Sequence, residues 1–264
     1  MEAVPTPSRT IFIGDVHGML DTLDQLLAEL KLTATDRLIF LGDLIDKGPD
    51  PVGVIRRVAE LQARGPAETH VLRGNHEDNH LRFRRNLTER PGIAQAMADS
   101  KPVLDEFFTQ SSRADWNVLD NTLPFWHCPD LNILAVHGGI PGNMETFPFD
   151  WHDVERLSKS EQQHFKKIWL TRYVDRETGK FLGLGKQHPD DPFWAEIYDG
   201  RFGHVVFGHE VFMDGPAFFP HATGIDTGAV HGGTLTALIC TRDRPPETLS
   251  VPGYPASIGT RFEG

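Results

Sequence analysis

Cysteine, basic residues and long apolar runs are all scarce in this chain of 264 residues. Its two cysteines, Cys128 and Cys240, are too few for a disulfide framework, which fits a reducing compartment. No segment approaches the ~18 consecutive apolar residues of a membrane span. Residues 1–10 also lack the basic start and apolar stretch of a signal peptide. These absences predict a cytoplasmic protein that has no membrane partner.

Positive charge is the second shortage. The chain has 26 Lys and Arg against 37 Asp and Glu, a net charge of −11. General nucleic-acid binders normally carry the opposite balance, so stable nucleic-acid binding is not expected. A small anionic substrate stays compatible, because bound cations and a few basic side chains can focus a local positive field. The chain also shows no glycine-rich phosphate loop and no serine or cysteine placed as a nucleophile.

What the chain does contain is a series of short apolar segments, each followed by glycine and a polar, ligand-type side chain. The apolar residues 38–41 precede Gly42 and Asp43, and Pro51 then marks the start of a helix. Asp43 therefore lies at the carboxyl end of a predicted strand, where α/β sheets bind their ligands and where a carboxylate can bridge two metal ions. Taken alone, an Asp in such a turn is more often turn chemistry.

Two further segments repeat this arrangement. Residues 10–13 precede Asp15 and His17, which point the same way on extended backbone and form a plausible claw for a transition metal. Residues 69–72 precede Asn75, an amide ligand or a helix cap, and His76, a possible acid. The strand–helix alternation predicts an α/β fold with a parallel sheet and right-handed crossovers.

Three motifs occur in this order: Gly-Asp-x-His-Gly at 14–18, Gly-Asp-x-x-Asp-Lys-Gly at 42–48 and Gly-Asn-His-Glu at 74–77. They resemble the signatures of the calcineurin-like metallophosphoesterases, in the branch of the serine/threonine protein phosphatases and the symmetrical diadenosine tetraphosphatases. The resemblance implies an αββα sandwich of two sheets, with a dinuclear metal site at the carboxyl ends of the strands. It extends from about Ile11 to about Ile239, and such a triple motif is highly specific.

The same resemblance implies a ligand set and a mechanism. The expected metal ligands are Asp15, His17, Asp43, Asn75, His137 and His209, with Asp43 bridging two divalent ions. Manganese is expected, with iron, zinc, cobalt or magnesium as alternatives. A hydroxide that bridges the ions would attack phosphorus directly. His76 would protonate the leaving oxygen, and Asp46 would orient His76. His231 lies in a copy of the His137 pentapeptide, Ala-Val-His-Gly-Gly, and is expected not to be a ligand.

Substrate contacts are expected from Lys47, Asn75 and, by a looser match, Arg172. Lys47 replaces the arginine of the protein phosphatases and resembles the tetraphosphatase-like branch, whereas Asp46 and Gly-Asn-His-Glu resemble the protein phosphatases. We favour hydrolysis of nucleoside polyphosphates such as diadenosine tetraphosphate, or of related phosphoanhydrides. The alternatives are a protein phosphatase acting on phosphoproteins and, in another class, a non-catalytic scaffold. A scaffold would be expected to have lost ligands, and here every ligand position is filled.

A single domain is predicted over residues 1–264, with 39% hydrophobic residues to form its core. Residues 77–130 are expected to form a helical cap, whose clustered arginines are either solvated or form a basic rim. Residues 143–202 are interpreted as an irregular insertion. The first ten residues and the tail 242–264, rich in Pro and Gly, are expected to be loose. The sequence does not indicate an oligomeric state.

Overall fold

The computed structural model describes residues 7–254. Three parallel strands, β1 (Arg9–Ile13), β2 (Asp36–Phe40) and β3 (Glu68–Val71), form the centre of the first sheet. They are joined by the helices α1 (Leu20–Leu30) and α2 (Pro51–Arg64). Asp50 caps α2 by accepting a hydrogen bond from the Gly53 amide at 2.7 Å, and Pro51 occupies the first turn. This confirms the predicted strand–helix alternation.

A second sheet lies against the first. It has the order β4 (Trp126–Cys128), β5 (Ile133–Ala135), β6 (His204–Phe207), β8 (Ala222–Gly224) and β7 (Ala217–Phe219). Within it, β5, β6 and β8 are parallel. Phe12 and Ile39 of the first sheet and Val206 of the second belong to one buried cluster, which is the core between the sheets.

The outer face of each sheet is covered by helices. Ile11 and Ile13 alternate with Phe12 along β1, and they pack with Leu23 and Leu27 of α1. On the far side, Val205 and Phe207 of β6 form another cluster with side chains of the segment 143–202. The four layers form the predicted αββα sandwich. None of the helices within residues 7–254 is both long and apolar enough to cross a membrane.

Most of the predicted cap, residues 77–130, consists of four helices: α3 (Asn75–Glu89), α4 (Pro91–Ser100), α5 (Val103–Gln110) and α6 (Arg113–Asp120). The predicted end of the cap is wrong, because residues 126–128 form β4 of the second sheet. The arginines of the cap have local partners. Arg84 pairs with Asp120 and lies over the Trp116 ring at 4.4 Å, and Arg85 lies 3.9 Å from Glu89. Because these arginines already pair with acidic side chains of the cap, the interpretation as solvated surface residues is favoured over a basic rim that attracts phosphate.

The segment 143–202 is more ordered than the predicted irregular insertion. It contains α7 (Trp151–Arg156), α8 (Lys159–Phe165), a 3-10 helix (Lys166–Trp169) and α9 (Trp194–Ile197). Phe165, Ile168 and Trp194 are buried in the outer cluster of the second sheet. The short helices and loops are ordered by this aromatic packing, and the composition alone did not reveal it.

The expectation of a loose tail from residue 242 is wrong for its first part. Residues 234–241 form β9 (Thr234–Thr241), and β10 (Arg244–Pro252) pairs with it in antiparallel register. The first sheet therefore has the order β10-β9-β1-β2-β3. Prolines are tolerated in β10 because it is an edge strand. Residues 1–6 and 255–264, on which the rest of this expectation falls, lie outside the described residues.

Candidate metal centre

The predicted ligands come from the carboxyl ends of five strands in two sheets. Asp15 and His17 follow β1, Asp43 follows β2, and Asn75 opens α3 just after β3. From the second sheet, His137 follows β5 and His209 follows β6. Since the carboxyl ends of parallel strands share one edge, each sheet delivers its polar side chains to the same end of the sandwich.

Asp43 is common to two groups of potential ligand atoms. It lies with His17 and His76 in one group and with His137 and His209 in the other. Within each group the ligand atoms lie within 4.8 Å of one another. The Asp43 Oδ2 atom is 3.7 Å from His17 Nε2 and 3.3 Å from His137 Nε2. This is the placement required of a carboxylate that bridges two ions.

The histidine rings are oriented with Nε2 towards the centre. His17 Nδ1 donates to the Ile45 carbonyl and His137 Nδ1 to the Leu41 carbonyl, each at 2.9 Å. A carbonyl oxygen only accepts, so each Nε2 keeps its lone pair. His209 Nε2 is buried and has no hydrogen-bond partner among the described residues. A buried acceptor without a partner is costly, and a metal ion would satisfy it.

The remaining predicted ligands complete the set. Asn75 Oδ1 lies 3.0 Å from His137 Nε2, so two lone-pair atoms face each other, as they would around a shared cation. Both oxygens of Asp15 accept from the His209 amide at 3.2 Å, and Oδ2 is 3.9 Å from His17 Nε2. The structure thus brings all six predicted ligands together, and the donor set suits divalent ions.

Electrostatics favour the metal-binding forms of the histidines. Burial lowers the pKa of His17 well below its usual value, and the nearby Lys47 lowers it further. Burial also lowers the pKa of His209, with help from His137 and Arg172. Both rings are therefore neutral at physiological pH and can bind a cation. Burial, together with Asp226 and Asp43, raises the pKa of Asp15, as expected where several carboxylates share one site.

Backbone strain is concentrated at the same place. Among the described residues, five of the seven non-glycine residues with positive φ belong to the site: His17 (45°), Asp43 (50°), Asp46 (67°), Lys47 (64°) and His209 (68°). Such conformations cost free energy and persist where the surrounding structure enforces them, most often at functional sites.

Two glycines permit the close approach of ligand loops. A Cβ atom on Gly74 would lie 2.1 Å from Asp43 Oδ1, and one on Gly208 would lie 2.2 Å from Asp15 Oδ1. These glycines in the Gly-Asn-His-Glu and Gly-His segments therefore leave room for the carboxylates.

His76 and Asp46 form the predicted pair. His76 Nδ1 donates to Asp46 Oδ2 at 2.6 Å, and Nε2 lies 3.8 Å from Asp43 Oδ2. Burial lowers the pKa of His76, but the carboxylates of Asp43 and Asp46 outweigh it and raise the pKa above its ordinary value. Burial raises the pKa of Asp46, yet its hydrogen bonds from His76 and His80 outweigh burial and lower it.

The two predicted substrate-binding cations lie beside the ligands. Lys47 Nζ is 3.0 Å from His17 Nε2. Arg172 Nη2 donates to the His209 carbonyl at 2.9 Å, and its Nε pairs with Glu210 at 2.6 Å. Glu210 thus offsets part of the Arg172 charge. His231 is exposed and belongs to neither ligand group.

Sequence reasoning gave no role to Glu77, His80 or Asp226. Glu77 is fully buried and accepts from three backbone amides, those of Asp43 (2.9 Å), Leu44 (2.8 Å) and Gly74 (2.9 Å), so it fixes the loop that carries Asp43. Asp226 follows β8 within the segment Gly-Ile-Asp-Thr-Gly, and this pattern of a strand, glycine and carboxylate could have revealed it. His80 lies four residues after His76 on one helix, and that spacing could have revealed it.

The structure contains a cavity of about 520 Å³ whose lining includes none of the candidate ligands. Its wall includes Arg73, two residues before Asn75, and the aromatic side chains of Trp151, Phe165 and Trp169. The carbonyl of Ile168, beside Trp169, accepts from the two amides that follow His137, at 2.8 and 2.9 Å. The wall thus combines cationic and aromatic groups with the acidic Asp120, and it is connected to the His137 segment through Ile168 and Trp169.

Comparisons with known proteins agree with this geometry. A sequence model described as calcineurin-like phosphoesterase matches residues 8–213. The bis(5'-nucleosyl)-tetraphosphatase PrpE (asymmetrical) of Bacillus mycoides is 30% identical over 266 residues, which cover 95% of this chain and 96% of the relative. The protein of the same name from Oceanobacillus iheyensis is 29% identical over 236 residues, 85% of this chain and 86% of the relative.

Two solved structures are similar in fold. One, described as a candidate diadenosine tetraphosphatase, has a TM-score of 0.67 and 25% identity and covers 96% of both chains. The other is a serine/threonine protein phosphatase from Saccharomyces cerevisiae, with a TM-score of 0.64 and 17% identity over 93% of this chain and 81% of that one. At that identity, the second similarity concerns the fold alone.

Proposed function

The chain belongs to the calcineurin-like phosphoesterase family, and we propose from this membership that it is a dinuclear-metal phosphohydrolase acting on nucleoside polyphosphates such as diadenosine tetraphosphate. The observation that carries the proposal is the position of Asp43, which is shared by two groups of potential ligand atoms. The relatives named as bis(5'-nucleosyl)-tetraphosphatases match nearly the whole chain and support the choice of substrate. The cavity of about 520 Å³, whose wall includes Arg73, Lys166 and aromatic side chains, is chemically suited to a nucleotide.

The residues divide into those that would hold the ions and those that act on the substrate. Asp15, His17 and Asp43 would hold one ion, and the other would be held by Asp43, Asn75, His137 and His209. When bound, such ions supply an activated water and neutralise phosphate charge. We infer manganese as the native metal, because the donors are carboxylate, amide and imidazole. The buried, free thiols of Cys128 and Cys240 are compatible with the reducing cytoplasm, where we place the enzyme.

On the substrate side, Lys47 would bind the non-bridging oxygens of the reacting phosphate as a point charge, and Asn75 and Arg172 would add contacts. His76 would donate its Nε2 proton to the leaving oxygen. The Asp46 carboxylate holds His76 through Nδ1 and stabilises its protonated form.

One observation favours a second candidate, a serine/threonine protein phosphatase. The Asp46–His76 hydrogen bond of 2.6 Å supports a general acid. Such an acid matters most for the alkoxide leaving group of a phosphoserine and less for the weakly basic phosphate released from a phosphoanhydride.

Chelator-treated protein, with and without added manganese, tests the proposal. It would be given diadenosine tetraphosphate and a phosphoserine peptide in parallel. We expect manganese-dependent cleavage of the dinucleotide and slow release of phosphate from the peptide. Equal rates before and after chelation would refute metal dependence. Fast peptide dephosphorylation with an intact dinucleotide would favour the second candidate, and folded, metal-loaded protein inactive on both would indicate a scaffold.

A further inference from the structure

Asp46 uses both carboxylate oxygens, each on a different histidine. Oδ2 accepts from His76 Nδ1 at 2.6 Å, and Oδ1 accepts from His80 Nε2 at 2.7 Å. His80 is fully buried, and Asp46 is 9% exposed. His76 and His80 lie one turn apart on α3, so both rings reach the same carboxylate from one helix face.

Aromatic side chains of the cap pack against the His80 ring. Its centroid lies 4.8 Å from that of Phe107 in an edge-on contact, and Phe107 packs against Trp116 at 5.5 Å. The other ring nitrogen, Nδ1, is buried and has no hydrogen-bond partner among the described residues. A buried unpaired polar atom costs free energy, and an apolar residue would fill this place without that cost. The hydrogen bond to Asp46 is therefore the feature that distinguishes histidine from an apolar residue here.

We propose that His80 is a positioning residue: by donating Nε2–H to Oδ1, it fixes the Asp46 carboxylate so that Oδ2 holds the acid His76 in its working orientation. The inference rests on the proposed phosphohydrolase function. Asp46 needs such support because its backbone lies in a left-handed conformation, with φ of 67°, in the turn that also carries Lys47. With one oxygen unpaired, the carboxylate could rotate and lose its alignment with His76.

His80 does not exchange a proton in this scheme. As the bond between phosphorus and the leaving oxygen breaks, the Nε2 proton of His76 moves to that oxygen. Nδ1–H stays bonded to Asp46, and neutral His76 then regains a proton from water. His80 thus acts on the rate through the alignment of His76.

Two variants of the full-length, manganese-loaded protein separate positioning from packing. In His80→Gln, the amide nitrogen takes the place of Nε2 and can still donate to Asp46, whereas the shorter side chain of His80→Asn cannot reach it. Each variant would be assayed with phenyl phosphate, whose leaving group needs protonation, and with p-nitrophenyl phosphate, whose leaving group needs little. His204→Gln is the control. The His204 side chain is hydrogen-bonded to the Thr223 hydroxyl at 2.9 Å, and His204 begins β6 whereas His209 follows the other end of that strand.

We expect His80→Asn to lower kcat for phenyl phosphate by about tenfold or more relative to p-nitrophenyl phosphate, with KM little changed. His80→Gln should recover most of the loss, and His204→Gln should leave the ratio of the two rates unchanged. This ratio does not depend on the fraction of folded enzyme, so partial unfolding cannot imitate the effect. Equal losses on both substrates, or equal behaviour of Gln and Asn, would overturn the proposal.

A second measurement needs no turnover. In protein loaded with diamagnetic zinc in place of manganese, the Nδ1 proton of His76, in a hydrogen bond of 2.6 Å to a carboxylate, should give a far-downfield proton NMR signal. The signal should persist in His80→Gln and shift or disappear in His80→Asn; an unchanged signal in both would contradict the positioning role. The NMR signal could show the expected pattern in the wild-type protein and the variants while the wild-type protein hydrolyses neither aryl phosphate nor dinucleotide. That outcome would refute the proposed function, and the alignment of His76 by Asp46 and His80 would still be supported.

Discussion

At the scale of single residues, Asp43 is the side chain on which both ligand groups depend. A carboxylate that bridges two ions lowers the affinity of both when it is removed, whereas a terminal ligand serves one ion. We propose His209 as such a terminal ligand, because it lies in the group with His137 but not in the group with His17. Variants of Asp43 and of His209 are therefore expected to differ in metal content.

We expect Asp43→Asn to retain fewer than one manganese ion per chain, and His209→Gln to retain about one of two. Metal content would be measured by elemental analysis after gel filtration. His231→Gln is a matched control, because His231 occupies the same pentapeptide as His137 yet is exposed and outside both groups. Full metal content in Asp43→Asn, or loss of an ion in His231→Gln, would contradict the ligand assignment.

The clustering of the six candidate ligands could be predicted from the sequence, whereas the contacts of the residues that support them could not. Each of the six ligands follows an apolar strand and belongs to a short motif, so local pattern was enough. Glu77 was visible in its motif, but its function depends on backbone amides 33 and 34 residues away, at Leu44 and Asp43. Asp226 reaches the site from the other end of the chain. Such long-range contacts follow from tertiary packing, which a single sequence does not display.

At the scale of elements, β10 shows how composition can mislead. The segment 244–252 contains three prolines, which indicated a loose tail. Prolines lack an amide donor but are compatible with a strand whose outer edge is unpaired. The pairing is specified instead by apolar side chains: Val251 lies opposite Leu235 and Leu249 opposite Ala237. Both Val251 and Leu235 are buried in the cluster that includes α1.

Because Val251 is 1% exposed, we expect Val251→Ala to lower the free energy of unfolding by about 2 kcal/mol. Urea unfolding followed by circular dichroism would measure the change. Glu247→Ala is the control, since Glu247 is an exposed residue of the same strand and should change the unfolding midpoint little. Identical midpoints for the two variants would argue that β10 does not contribute to the core.

At the scale of the whole molecule, substrate choice is set outside the ligand motifs. The net charge of −11 opposes the approach of a polyphosphate, so recognition depends on a local concentration of cations. Lys47 at the centre and Arg73 and Lys166 in the wall of the cavity supply such charges. The cap and the segment 143–202 build that wall, and their sequences carry no motif. The phosphohydrolase chemistry could therefore be predicted from the sequence more firmly than the bond that is cleaved.

The products of diadenosine tetraphosphate hydrolysis show which phosphate bridge of the substrate lies at the ions. Cleavage of an outer phosphate bridge gives AMP and ATP, and cleavage of the central bridge gives two ADP. The first requires that a nucleoside lies close to the ions. The relatives are named as asymmetrical enzymes, whereas the sequence motifs resemble those of the symmetrical ones. We therefore expect AMP and ATP.

Anion-exchange analysis of the earliest products decides between them. AMP and ATP should appear in equal amounts from the first time point, which excludes their formation from ADP by later reactions. Diadenosine pentaphosphate is the control substrate: attack next to a nucleoside converts it to AMP and adenosine tetraphosphate, and attack further in converts it to ADP and ATP. ADP as the main product of the tetraphosphate would show that the central bridge is cleaved, with the reacting phosphate second from one nucleoside and third from the other. In that case the symmetrical resemblance of the motifs would be the better guide to the placement of the substrate.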